Sequence, residues 1–182
     1  GSAAGCYSHN RATWASLFRG VGPELFDEKV KGMFLEIAEE WGVPLDVIND
    51  GEVTALAGSM AMGKNGVLGI AMGTSQGGGY IDMEGNITTW LSELAFAPVD
   101  LHPEAPADEW SGDLGCGAQY FSQQAVGRLL PASGIEYDET LKLPEQLKVV
   151  QALMEQGDER ALKIYDAIGI YLGYSLAHYA EF

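Results

Sequence analysis

Cysteine and basic side chains are the scarcest chemistry in this chain. Two cysteines, Cys6 and Cys116, in 182 residues cannot build a disulfide scaffold. They fit a reducing compartment, and a cytoplasmic location is expected. Ten Lys and Arg stand against 26 Asp and Glu, a formal net charge of −16. Such a surface repels phosphate polymers and anionic lipid, which argues against nucleic-acid and membrane partners. One bound nucleotide stays compatible, because local amides and a metal ion offset the distant field. No apolar run approaches the roughly 20 residues that span a bilayer, and no basic segment leads into an apolar signal core. The three histidines, His9, His102 and His178, are too scattered to suggest a metal site. Nothing repeats internally and no linker divides the chain. A hydrophobic content of 47% over this length is ordinary for one soluble domain with a real core.

What is present is organised around residues 48–81. An apolar run (Leu45, Val47, Ile48) ends in Asn49-Asp50, and a second, residues 67–72, runs into Gly73-Thr74-Ser75-Gln76-Gly77-Gly78-Gly79. A carboxylate at a strand tip can take a proton from a hydroxyl, and stacked backbone N–H groups can hold phosphate oxygens. Each feature also has a plainer reading. Asp50 at a helix start can serve only as its cap. A glycine-rich turn can be only a hairpin, although four glycines in seven exceed what a hairpin needs. A G-x-x-x-x-G-K match at residues 58–64 is rejected as a phosphate loop. Asn65 stands where a metal-binding hydroxyl belongs, and the preceding segment reads as helix rather than strand.

The remaining pattern places these features. Residues 3–25 read as loop. A helix is predicted over 26–41, with Phe26, Val30, Met33, Phe34, Ile37 and Trp41 on one face, stopped by Gly42 and Pro44. A short strand over 45–48 precedes a small-residue helix over 51–62, with Val53, Leu56, Ala57 and Met60 inward. A strand over 67–72 pairs with one over 79–83, and a third follows over 87–91. Residues 92–116 are irregular and acidic, interrupted by three prolines, and have the length of a binding loop. Helices follow over 119–130 and 144–154. Asp158 caps a last one reaching about residue 180. That helix is expected to be largely buried, with Leu162, Tyr165, Ile168, Leu172, Leu176 and Tyr179 nearly in line, and Gly169 and Gly173 suit close packing. Its apolar end at Phe182 reads as the cut edge of a longer protein.

In this order the motifs resemble those of the ROK family of bacterial sugar kinases and regulators, within the actin/Hsp70/hexokinase ATPase superfamily. Asn49-Asp50 and residues 73–79 correspond to the family's strand-end Asn-Asp and its G-T-G-x-G-G-G turn. Residues 92–96 look like its Gly-Glu-x-Gly-His sugar motif, residues 109–118 like its C-x-C-G-x-x-G-C-x-E segment, and Asn10 and Trp14 like a weak Asn-x-x-x-Trp pattern. The resemblance implies an α/β, ribonuclease H-like (actin-like ATPase) fold, mostly the second lobe with part of the first. Residues 1–49 would end the first lobe with a sugar-side loop, helix and strand. Residues 50–182 would supply the phosphate hairpin, the sugar-specificity loop and the C-terminal helices.

The implied activity is that of a fragment of an ATP-dependent hexose-type kinase, inactive in isolation, that passes the γ-phosphate to a sugar hydroxyl. Asp50 would be the base. Asn49, Asp50, Glu93, Asn10 and Gln119 would contact sugar, and Gly73, Thr74, Ser75, Gln76 and Gly77 phosphate, with Gln76 narrowing that site. ATP with Mg2+ would be used by the full-length protein only, and a homodimer fits the family. The departures are specific. Phe96 replaces a histidine, Glu109 and Ser111 replace two zinc cysteines, and Ala118 replaces a sugar-binding glutamate. The lone Cys116 cannot make a tetrahedral zinc site, so no zinc is expected. The same losses support an alternative, a non-catalytic carbohydrate-sensing or regulatory protein on this fold.

Overall fold

The computed structural model describes residues 1–88, 93–109 and 111–181. The far end of the strand expected over 87–91, Ser92 of the sugar-motif match and Trp110 lie outside them. Contacts divide the chain into two units, one of residues 1–71 with 78–92, the other of residues 72–77 with 93–182.

The first unit opens with β1 (Ser2–Ala3), which pairs in parallel with β4 (Ile48–Asn49). β2 (Cys6–Ser8) and β3 (Arg11–Trp14) form an antiparallel hairpin inside the segment expected to be loop. Its two-residue turn, His9-Asn10, has φ of 50° and 61°. Tight hairpin turns demand such left-handed backbone. Asn10 and His9 supply it without glycine, which is why the hairpin is hard to see in the sequence. The helix expected over 26–41 is broken into α1 (Pro23–Leu25), a π-helical turn (Phe26–Val30) and α2 (Met33–Trp41).

α3 (Asp50–Met62) packs on a sheet ordered β5 (Val67–Met72), β6 (Gln76–Ile81), β7 (Ile87–Thr88). Its buried residues are Gly51, Glu52, Ala55 and Ser59. The expected inward face, Val53, Leu56, Ala57 and Met60, is not the one used, and Met60 is 75% exposed. Backbone contact decides this. A Cβ on Gly51 would lie 2.3 Å from the Gly78 carbonyl oxygen, one on Gly79 2.5 Å from Glu52 Cα, and one on Gly69 2.5 Å from the Ala55 nitrogen. Only the helix face made of small residues can come that close. β6 also starts three residues earlier than expected, at Gln76.

The second unit is built on α4 (Gln123–Leu129), α5 (Leu143–Glu155) and α6 (Glu159–Tyr179). Phe121, Val126, Leu130, Val150, Ala161 and Ile164 are central to its core. The helix expected over 119–130 is instead a 3-10 turn (Gly117–Gln119), then α4, then a second 3-10 turn (Leu130–Ser133) that contains Pro131. Ser122 caps α4 by accepting from the Gln124 N–H, and Asp158 caps α6 by accepting from the Arg160 N–H. α6 buries Ala161, Ile164, Ile168, Ser175 and Tyr179, while Ile170, Tyr171 and Tyr174 are 59%, 50% and 76% exposed. So α6 is half-exposed rather than largely buried, and Gly169 and Gly173 face open space instead of a neighbouring backbone. Residues 93–116 are irregular, held by bridges between Pro98 and Cys116 and between Ala107 and Leu114.

Candidate functional site

In the first unit the junction of β4 and α3 carries the acidic residue singled out by sequence. The N-cap of α3 is Asn49, not Asp50. The Asn49 side-chain oxygen accepts from the Gly51 N–H at 2.7 Å, and its amide donates to the Gly5 carbonyl at 2.8 Å. The Asn49 N–H in turn donates to Glu52 Oε2 at 3.3 Å, completing a reciprocal capping box. The Asn-x-x-Glu spacing was a readable signal for this box. With the cap filled, Asp50 occupies the first helical position and its side chain is exposed. Its Oδ1 accepts from the adjacent Gly51 N–H, at 3.1 Å. A carboxylate there also gains from the positive helix end.

Two titratable groups flank it. Glu52 is buried, and burial raises its pKa against the opposing pull of the Asn49 N–H. Tyr7 donates to the Ala4 carbonyl at 2.9 Å, and its pKa is raised by burial and then by the Asp50 charge. Asn10 is brought to the same neighbourhood. Its amide donates to the Leu45 carbonyl at 2.6 Å and accepts from the Val47 N–H at 2.8 Å, tying the hairpin turn to the segment that leads into Asn49-Asp50.

The second unit holds the other candidates. Met72, Gly73, Thr74 and Ser75 are exposed. Gly73 donates its N–H to the Ser75 carbonyl and accepts from the Gln123 N–H, both at 2.9 Å. Gln76 does not face the open side of the turn; it is buried, 3% exposed. Glu93 precedes the 3-10 turn Leu94–Phe96, which packs on the turn Gly117–Gln119, so the two expected sugar-side segments of this unit are neighbours. Gln119 is buried, donates to Gln124 Oε1 at 2.6 Å, lies 3.4 Å from Asp108 Oδ1, and accepts from Arg128 at 3.3 Å. Arg128 also stacks over the Tyr120 ring, whose hydroxyl donates to Asp100. Cys116 is buried with Ala95 and Ala118, and Phe96 packs on them. Burial, followed by the Asp108 charge, pushes its thiol pKa up. Among the described residues no three His, Cys, Asp or Glu are grouped to hold a metal. No helix among them is long and apolar enough to cross a membrane.

A strand-end Asn-Asp at the start of a helix that lies on a glycine-rich hairpin is the feature on which the ROK resemblance rests. The solved structures agree on the fold. ROK hexokinase of Thermus thermophilus aligns over 80% of this chain and 47% of its own, with a TM-score of 0.59 and 24% identity. A ROK family transcriptional regulator, a homolog of the E. coli MLC protein, aligns over 82% and 39%, with a TM-score of 0.64 and 22% identity. A ROK family glucokinase from Streptomyces griseus, solved with glucose and AMPPNP, aligns over 84% and 53%, with a TM-score of 0.58 and 22% identity.

No family model matches the chain. Among curated proteins the glucokinase of Halalkalibacterium halodurans is 30% identical over 160 residues, 80% of this chain and 48% of that protein. The chain thus resembles the ROK sugar kinases and regulators in sequence and shares their fold. It spans about half the length of the curated relative it matches.

Proposed function

We propose that this chain is part of a ROK-type sugar kinase that uses ATP with Mg2+, with residues 50–182 belonging mainly to the second lobe and residues 1–49 to the end of the first. Asp50 is the general base: it takes the proton from a sugar hydroxyl as that oxygen attacks the γ-phosphate, with Asn49 and Asn10 on the sugar side. The observation that carries this reading is the division of labour at the start of α3. Asn49 and Glu52 fill the cap, so Asp50 is left as an exposed carboxylate beside it. The carboxylate accepts the proton only as bonding to phosphorus develops.

Phosphate is held at the hairpin tip. The Gly73 N–H is already used within the turn, so the donors are those of residues 74–77 with the Thr74 and Ser75 hydroxyls. Gly78 and Gly79 serve the contact with α3 instead.

The test is ADP release with a panel of hexoses, using the complete protein. Wild type should turn over at least one hexose, and Asp50→Asn should lower kcat by at least about a hundredfold with little change in sugar affinity. Equal turnover by wild type and Asp50→Asn would sink the assignment.

One observation favours a second reading. The positions that align with the family's zinc ligands carry Phe96, which packs on the apolar cluster of Ala95, Cys116 and Ala118. A sensor that binds sugar without phosphorylating it would account for this. Binding without turnover by the wild type is the result that selects it.

A further inference from the structure

We propose that Gln76 is a positioning residue for the phosphate hairpin, acting with Tyr179 of α6 and the Gly117 turn beneath it. This deepens the proposed function and rests on the hairpin being the phosphate element. Gln76 follows five exposed residues, 71–75, yet is itself 3% exposed. Its Oε1 sits 2.2 Å from where a Cβ on Gly117 would be, so that turn accepts the amide only because residue 117 is glycine.

Tyr179, also 3% exposed, lies beside the Gln76 amide. Both amide atoms and the Tyr179 hydroxyl lack a well-formed hydrogen bond among the described residues. Three poorly satisfied polar atoms in one buried place oppose stability. An aliphatic side chain would serve the core better, so the amide's effect has to be sought at the hairpin.

That effect is geometric. The tip is anchored at both ends, at Gly73 through its carbonyl on Gln123, and at Gln76 through the buried amide. Thr74 and Ser75 between the anchors stay exposed to meet phosphate. Backbone donors held in place before the ligand arrives lose less freedom on binding and on transfer. The close fit of the amide on the Gly117 turn fixes the depth of Gln76. A branched aliphatic side chain would fill the core without that fit.

Stability and affinity therefore move in opposite directions on substitution. In the complete protein, Gln76→Leu should unfold at a higher temperature than wild type, yet bind Mg2+-AMPPNP about tenfold or more weakly by calorimetry, with hexose affinity unchanged. Tyr179→Phe should show the same split with smaller amplitude. Wild-type nucleotide affinity in Gln76→Leu would overturn the proposal while leaving the phosphate reading intact. Failure of the wild type to bind nucleotide at all would overturn the phosphate reading, and this proposal with it.

Discussion

Three of the four positions 49–52 at the start of α3 divide three tasks. Asn49 caps, Asp50 is exposed to solvent, and Glu52 is buried beneath the cap. The order Asn-Asp-Gly-Glu was legible as a strand end meeting a helix. Which of the two first residues caps was not, because both side chains can accept from the second or third helical N–H. The burial of Glu52 was illegible for a different reason: it depends on Gly79 pressing against Glu52 Cα from a strand more than twenty residues away.

Glu52 makes a pH prediction. Its folded pKa is raised above the ordinary value of 4.5, so the folded state holds the proton more tightly than the unfolded chain. The stability this gives is present below the ordinary value and is lost as pH rises through the raised one. Urea unfolding between about pH 4 and 7 should show that decline in wild type. It should be reduced in Glu52→Gln, whose amide oxygen keeps the capping acceptor without the charge.

Asp158 runs the other way. Arg160 and the capped N–H hold its pKa down at about 2. Its contribution is present above the ordinary carboxylate value of 3.8 and lost as pH falls through about 2. Asp158→Ala should lower the thermal midpoint at pH 7, less so in high salt because the pair is exposed. The two proteins should converge near pH 2.

At the level of elements, the periodicity of α3 and α6 located both helices but misassigned their faces. Periodicity alone counts apolar residues as inward. In α3 the deciding quantity is how near the backbone must come to β5 and β6, which selects Gly51 and Ala55 over Val53 and Met60. In α6 the apolar arc is wider than the one core it packs against, so Ile170 and Tyr174 remain outside.

The same substitution should therefore have opposite signs in the two places. Gly79→Ala puts a methyl 2.5 Å from Glu52 Cα and should destabilise by about 3 kcal/mol or more. Gly169→Ala, inside α6 and facing open space, should stabilise by about 0.5–1 kcal/mol. Chemical denaturation of the two variants checks both. A destabilising Gly169→Ala would mean that this face of α6 is covered in solution.

For the molecule as a whole, charge is the dominant imbalance. Against a net charge of −16, the ion pairs among the described residues are Lys29–Glu28, Lys31–Asp27 and Arg160–Asp158, all between partly or well-exposed side chains. Pairs of that kind contribute little, so repulsion among the remaining carboxylates should govern the response to salt. Raising NaCl from about 0.01 M to about 1 M shortens the Debye length from ~30 Å to ~3 Å. The thermal midpoint should rise across that range. A flat or falling midpoint would mean that carboxylate repulsion does not govern the salt response.

The family resemblance was legible at this scale because it rests on the order of several motifs and not on any one. The grouping of the hairpin tip with residues 93–182 was not legible, since it depends on Gln76 turning inward where a glycine-rich turn suggests an open loop.

Asn10 also bears on how mutational data on this protein should be read. Its backbone makes the left-handed turn, and its side chain binds both Leu45 and Val47 just ahead of Asn49-Asp50. Alanine there removes the turn preference and both ties together, shifting the segment that leads into Asp50. A saturation screen scored on growth would then rank position 10 beside position 50 through backbone alignment, whatever else Asn10 does. Glycine is the informative replacement, since it spares the turn while severing the ties.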